Sequence, residues 1–125
     1  MRASAVLLGA LGAAATFLPQ EILVRGGGVP VGSSVVLVQI AGALYLGFAM
    51  LNWMAQGSII GGIYSRPVAI GNLAHFTIGG LALLKSIVAG QHSLDVMFIA
   101  AAYTTFAALF GHVAFVRLRH ARVDA

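Results

Sequence analysis

Cysteine is absent from the chain and charge nearly so. Without a thiol there can be no disulfide, thiolate nucleophile, thiolate-held zinc or cysteine-ligated iron–sulfur cluster. Lys, Arg, Asp and Glu together make up 8% of the 125 residues, against about 25% in ordinary soluble domains. Seven basic and three acidic side chains cannot clothe a water-exposed globule of this length, which would present contiguous apolar patches. Runs of alternating polar and apolar residues are missing too, which speaks against a membrane β-barrel. What is present, 60% hydrophobic residues and a mean hydropathy of +0.98, describes a helical membrane protein.

Crossing about 30 Å of hydrocarbon takes ~20 mostly apolar residues in a helix. The few charges divide the chain into stretches of that scale and predict helices near 3–20, 34–55, 67–87 and 95–117. The expected fold is all-α: one transmembrane domain over 1–125, a polytopic four-helix up-down bundle. Gly26-Gly27-Gly28-Val29-Pro30 cannot hold a helix and separates the first two spans. Ser33 or Ser34 is the expected N-cap of the second. Pro67, after Ser65-Arg66, stands where its missing N–H costs nothing, in the first turn of the third. Gly90-Gln91-His92-Ser93 closes that helix, and Asp95 begins the fourth, where the helix dipole favours an anion.

Arg2, an apolar core from Val6 to Leu11, and Ala13-Ala14-Ala15 resemble a secretory signal peptide with its cleavage site. The apolar run continues through Phe17 and Leu18, which favours a retained helix. Segment 17–25 mixes apolar and charged residues and is expected to lie on the outer surface as a short interfacial helix. Segment 56–66 is too apolar for an ordinary cytoplasmic loop. It reads as a loop, an interfacial stretch, or an extension of the third helix broken at Gly61-Gly62. With both termini inside, the cytoplasmic side holds Arg2, Arg66, Arg117, Arg119 and Arg122 and the outer side Arg25 and Lys85. The positive-inside rule therefore favours a multi-pass protein of the inner (plasma) membrane with cytoplasmic N- and C-termini. The net charge of +4 reports this topology, and no nucleic-acid partner is expected.

Helices associate in lipid through close packing and buried polar contacts. Ala5, Gly9 and Ala13 form a small-residue ridge on the first helix, and Gly71, His75 and Gly79 share a face of the third. On the second, Gln39, Gly42, Tyr45, Ala49, Asn52, Trp53 and Gln56 fall within an arc of ~140° that should face the bundle. On the fourth, Thr105, Ala108 and His112 line one side. His75 lies ~12 Å and His112 ~8 Å from the cytoplasmic end at 1.5 Å per residue. In the up-down order, Asn52, Trp53, Gln56, Arg66, Asn72, His75 and His112 become one candidate ligand-binding layer in the cytoplasmic half. Polar residues at that depth are a functional hypothesis by default.

Three readings of the layer are open. Its residues form hydrogen bonds between helices, or bind a ligand, or hold haem or a pigment through His75 and His112. No carboxylate lies within a span, which disfavours proton antiport of the small multidrug-transporter kind. No serine–histidine–aspartate arrangement occurs, so no catalytic residue is proposed. The four-span layout, with its first helix ending in Phe17-x-Pro19, a glycine-containing second helix and short loops, resembles the small bacterial inner-membrane families called DoxX-like. That resemblance is one of hydropathy, covers the whole chain and carries over no functional residue. Non-enzymatic work follows, as an accessory or assembly subunit or a small-ligand-binding component within a homo-oligomer or larger membrane complex. No cofactor is expected. The alternatives are a homo-oligomeric small-molecule transporter and a haem- or pigment-binding subunit.

Overall fold

In the computed structural model, residues 1–57, 65–90 and 93–120 are described, with side chains as far as 115. Every regular element among them is a helix: α1 (Arg2–Phe17), α2 (Pro19–Arg25), α3 (Gly32–Ala55), α4 (Ser65–Val88) and α5 (Leu94–His120). An apolar helix satisfies its own backbone, as the absence of water in hydrocarbon requires. Among the described residues three helices are long and apolar enough to cross a membrane: α3, α4 from Arg66 onward, and α5 as far as Phe115. The chain divides into two compact units, Met1–Gly57 and Ser58–Ala125.

The first helix is shorter than the uncharged run suggested. Pro19 has no backbone N–H and forces the residue before it out of the helical region. Leu18 accordingly adopts φ −125° and ψ 44°, and α2 leaves α1 at 97°. The span expected near 3–20 thus ends at Phe17, and the short segment expected over 17–25 is a helix over 19–25. Glu21 occupies the first turn of α2 and Arg25 its last, the arrangement the helix dipole favours. Gly27 follows at φ +75°, a conformation that costs glycine nothing.

The start of α3 also differs from expectation. Its N-cap is Val31, and Ser34 acts from inside the first turn. The Ser34 hydroxyl accepts the Val31 N–H at 3.2 Å and donates to the Val31 carbonyl at 2.8 Å. The glycine-rich connector makes this possible by letting the helix begin at Gly32, two residues before Ser34. At the other end of the chain, Gly90 closes α4 at φ +102°. Asp95 Oδ1 accepts the Val96 N–H at 3.1 Å in the first turn of α5. Segment 58–64, which held the ambiguity about the third helix, and Gln91-His92 lie outside the described residues. Ser65 and Arg66 belong to α4.

Within the first unit α1 runs antiparallel to α3, and small residues set how closely they approach. A methyl group at Gly12 would lie 2.8 Å from Leu46 Cγ and 2.9 Å from the Gly42 carbonyl oxygen. One at Gly42 would lie 2.6 Å from Thr16 Oγ1 and 2.8 Å from the Thr16 nitrogen. The backbones therefore touch at this crossing. The expected ridge through Ala5, Gly9 and Ala13 is rotated: the buried line is Ser4, Ala5, Leu8, Gly12 and Ala15, and Gly9 makes ordinary contact with Ala49. The side-chain oxygens of Ser4 and Thr16 donate to the carbonyls of Met1 and Gly12, each at 2.8 Å, so neither hydroxyl is left unpaired in the contact.

Substitution tests the crossing. Gly12→Leu should lower the thermal midpoint in mild detergent sharply, because overpacking a tight contact costs about 1–3 kcal/mol or more. Gly9→Leu should cost less, and an equal effect at both positions would refute the crossing.

Candidate functional site

The sequence-derived candidates fall into two groups, one in each unit. Asn52, Trp53 and Gln56 close α3 in the first unit. Arg66, Asn72, His75 and His112 belong to α4 and α5 in the second.

In the first unit Asn52 is fully buried. Gln56 Oε1 accepts a hydrogen bond from Arg2 Nε at 2.7 Å. That contact ties the first residue of α1 to the turn after α3, in register with the glycine crossing above it. Trp53 is 56% exposed and Gln39 is exposed too. The packed stripe of α3 is therefore narrower than the expected arc, and only Gly42 and Asn52 are buried on it. Contact with one short helix covers one line of side chains, which leaves both edges of a 140° arc uncovered.

In the second unit α4 packs on α5 through aromatic rings. Phe76 is fully buried and stacks on Phe106 and Phe110, with centroids 5.0 and 5.8 Å away. It meets Tyr103 edge-on at 5.1 Å, a geometry the ring quadrupoles favour. Tyr103 lies against glycine backbone: a methyl group at Gly79 would come within 2.6 Å of its Cε1. This bare stretch of α4 admits the tyrosine ring and carries its hydroxyl to His75 Nε2, at 3.2 Å. Asn72, one turn before His75, is fully buried, and its Nδ2 donates to the Val68 carbonyl at 2.7 Å.

Arg66 and His112 are exposed. The expected line of Thr105, Ala108 and His112 is the uncovered side of α5, and its packing face is Ala100, Tyr103 and Phe110. Three phenylalanines and a tyrosine outweigh scattered hydroxyls in deciding which side turns inward. Thr104 and Thr105 instead bond to the carbonyls of Ala100 and Ala101, each at 2.8 Å. His75 and His112 are therefore placed differently, one directed at a tyrosine and the other outward. Among the described residues no three His, Asp or Glu side chains gather into a metal-binding group.

Sequence reading missed Ser4, the Arg2–Gln56 contact and the role of Tyr103. The Ser4-x3-Leu8-x3-Gly12 spacing marks a line along one helix face and was the available signal for Ser4. Long-range partners such as Gln56 for Arg2 have no local signal.

A double-mutant cycle between Tyr103→Phe and His75→Leu should give a coupling of about 0.6 kcal/mol, typical of hydrogen bonds between membrane helices. Gly79→Ala should destabilise more than either by displacing the tyrosine ring. Unfolding in detergent followed by circular dichroism measures all three, and a coupling of zero would refute the His75–Tyr103 bond.

Searches of protein-family models, curated proteins and solved structures found no match to this chain.

Proposed function

We propose that the protein is a non-enzymatic, multi-pass component of the inner membrane. It crosses four times, keeps both termini in the cytoplasm and works by assembling with further membrane helices, as an accessory subunit or as a binder of a small ligand. The bonding of the polar side chains carries this reading. Arg2 bonds Gln56, Asn72 bonds Val68, His75 bonds Tyr103, and Ser4 and Thr16 bond their own helix. No buried side-chain nitrogen or oxygen among the described residues lacks a partner. Arg2–Gln56 and His75–Tyr103 each join two helices, and the other three bonds close within one helix, so these polar side chains serve packing.

The fourth crossing rests on α1. It lies antiparallel along α3 from Arg2 at Gln56 to Thr16 at Gly42, and a helix packed beside a span shares most of its depth. In this reading the right-angled turn at Leu18 carries α2 along the outer interface. The positive-inside count supports the orientation. The outward apolar faces support assembly: Leu37, Ile40, Leu44, Met50 and Met54 of α3 are all more than half exposed. In a membrane such a face meets lipid or another helix. Small-molecule transport by a homo-oligomer and haem or pigment binding through His75 and His112 are the competing readings.

Light scattering on protein extracted in mild detergent should give a mass above the 12.9 kDa monomer. A monomer at every detergent concentration, with no co-purifying subunit, would defeat the assembly reading. The same preparation should show no Soret band. A band abolished by His75→Leu would replace assembly with the haem reading. Reporter fusions at Ala125 and in the Gly26–Gly28 connector should report inside and outside respectively.

A further inference from the structure

We infer that the two units are diverged copies of one helical hairpin, and that α2 is an insertion in the connector of the first. The trace is clearest between α3 and α5. Displaced by 58 positions (103 − 45), Ala43, Tyr45, Phe48, Ala49 and Leu51 stand opposite Ala101, Tyr103, Phe106, Ala107 and Leu109, residue for residue the same. One turn earlier Val38 matches Val96.

Burial follows the same displacement. Gly42 and Ala100 are buried, as are Asn52 and Phe110, while Val38, Ala41, Phe48 and Ala49 match Val96, Ile99, Phe106 and Ala107 as half-buried pairs. A shared helical period alone would allow any phase between the two helices. The phase that aligns the identical residues is also the one that aligns their packing.

The α1 and α4 helices correspond with a displacement of 68 (80 − 12). Ser4, Leu8 and Gly12 are buried, and so are Asn72, Phe76 and Gly80. Arg2, Val6 and Ala10 are exposed, as are Ile70, Ala74 and Ile78. The helix crossings join the two displacements. A methyl group at Gly12 would meet the backbone nitrogen of Leu46 at 2.9 Å, and one at Gly80 would meet that of Thr104 at 3.9 Å. Leu46 and Thr104 are equivalent by the displacement of 58. The same glycine therefore faces the same backbone atom in both hairpins.

The two hairpins differ in the length of their connectors. Gly12 and Leu46 are 34 residues apart (46 − 12), and Gly80 and Thr104 are 24 apart (104 − 80), a surplus of ten in the first. That surplus matches Pro19–Gly28, which is α2 and its glycine turn. The hairpin itself does not need α2, so the segment is available for the membrane interface or a partner. The hairpins also differ in chemistry at one telling place. His75 stands where the first copy has Leu7, although both copies keep the tyrosine, Tyr45 and Tyr103. The common scaffold therefore does not require a histidine there. His75 distinguishes the second copy from the first, where leucine stands.

The cysteine-free chain allows a direct test in native membranes. A methyl group at Gly9 would lie 3.8 Å from Ala49 Cβ, within disulfide range, so Gly9→Cys with Ala49→Cys should cross-link on mild oxidation. The same pair should still cross-link when Pro19–Gly28 is deleted, and the equivalent pair Thr77→Cys with Ala107→Cys should cross-link in the full chain. Loss of the first cross-link on deletion, or loss of the deleted protein from the membrane, would overturn the insertion. Failure of the Thr77/Ala107 pair would overturn the equivalence of the hairpins.

Discussion

Everything in the first unit depends on two glycines meeting backbone to backbone. In lipid, burying leucine against leucine gains little, because the displaced lipid tails are as apolar as the side chains. What remains is dispersion between closely apposed atoms, which falls steeply with each fraction of an ångström. Gly12 and Gly42 remove the side chains that would hold the helices apart. Once that contact is set, the register of α1 along α3 follows, and with it the meeting of Arg2 and Gln56. It also fixes the level at which Leu18 breaks the chain and α2 turns aside.

The second hairpin solves the same packing problem by other means. Glycine again bares the backbone, at Gly79 and Gly80, but a ring fills the space. Tyr103 is then held on three sides: by α4 backbone, by the edge of Phe76 and by His75 at its hydroxyl. A tyrosine buried to 2% exposure needs a partner for that hydroxyl. The result is a polar contact inside an aromatic core, stiffer than hydroxyls that merely fold back on their own helix.

Much of the architecture could be read from charge and punctuation. The helix expected over 34–55 begins two residues earlier, at Gly32, and those expected near 67–87 and 95–117 extend a few residues further. Those boundaries are marked by Arg66, Pro67, Gly90 and Asp95, all of which act locally. The first helix was overextended because hydropathy runs smoothly through Leu18, whereas Pro19 acts on the dihedral angles of its neighbour. Helical period puts Asn52 in the arc expected to face the bundle and sets Asn72 one turn before His75 on the same side. His112 was placed with them by depth, but depth carries no information about which side of α5 faces its neighbour. That choice was made by Phe106 and Phe110, whose contact with Phe76 connects residues about 30 apart in sequence, beyond the reach of any local pattern.

The brevity of α1 bears on the lipid around it. Sixteen helical residues rise about 24 Å, roughly 6 Å less than a typical hydrocarbon core. Twenty-four residues of α3 rise about 36 Å, so the two neighbours ask for different bilayer thicknesses. A membrane accommodates such a mismatch by thinning around the shorter helix and tilting the longer one, at fractions of a kcal/mol per ångström. With α1 as the proposed fourth span, that mismatch would draw the protein towards thinner membrane.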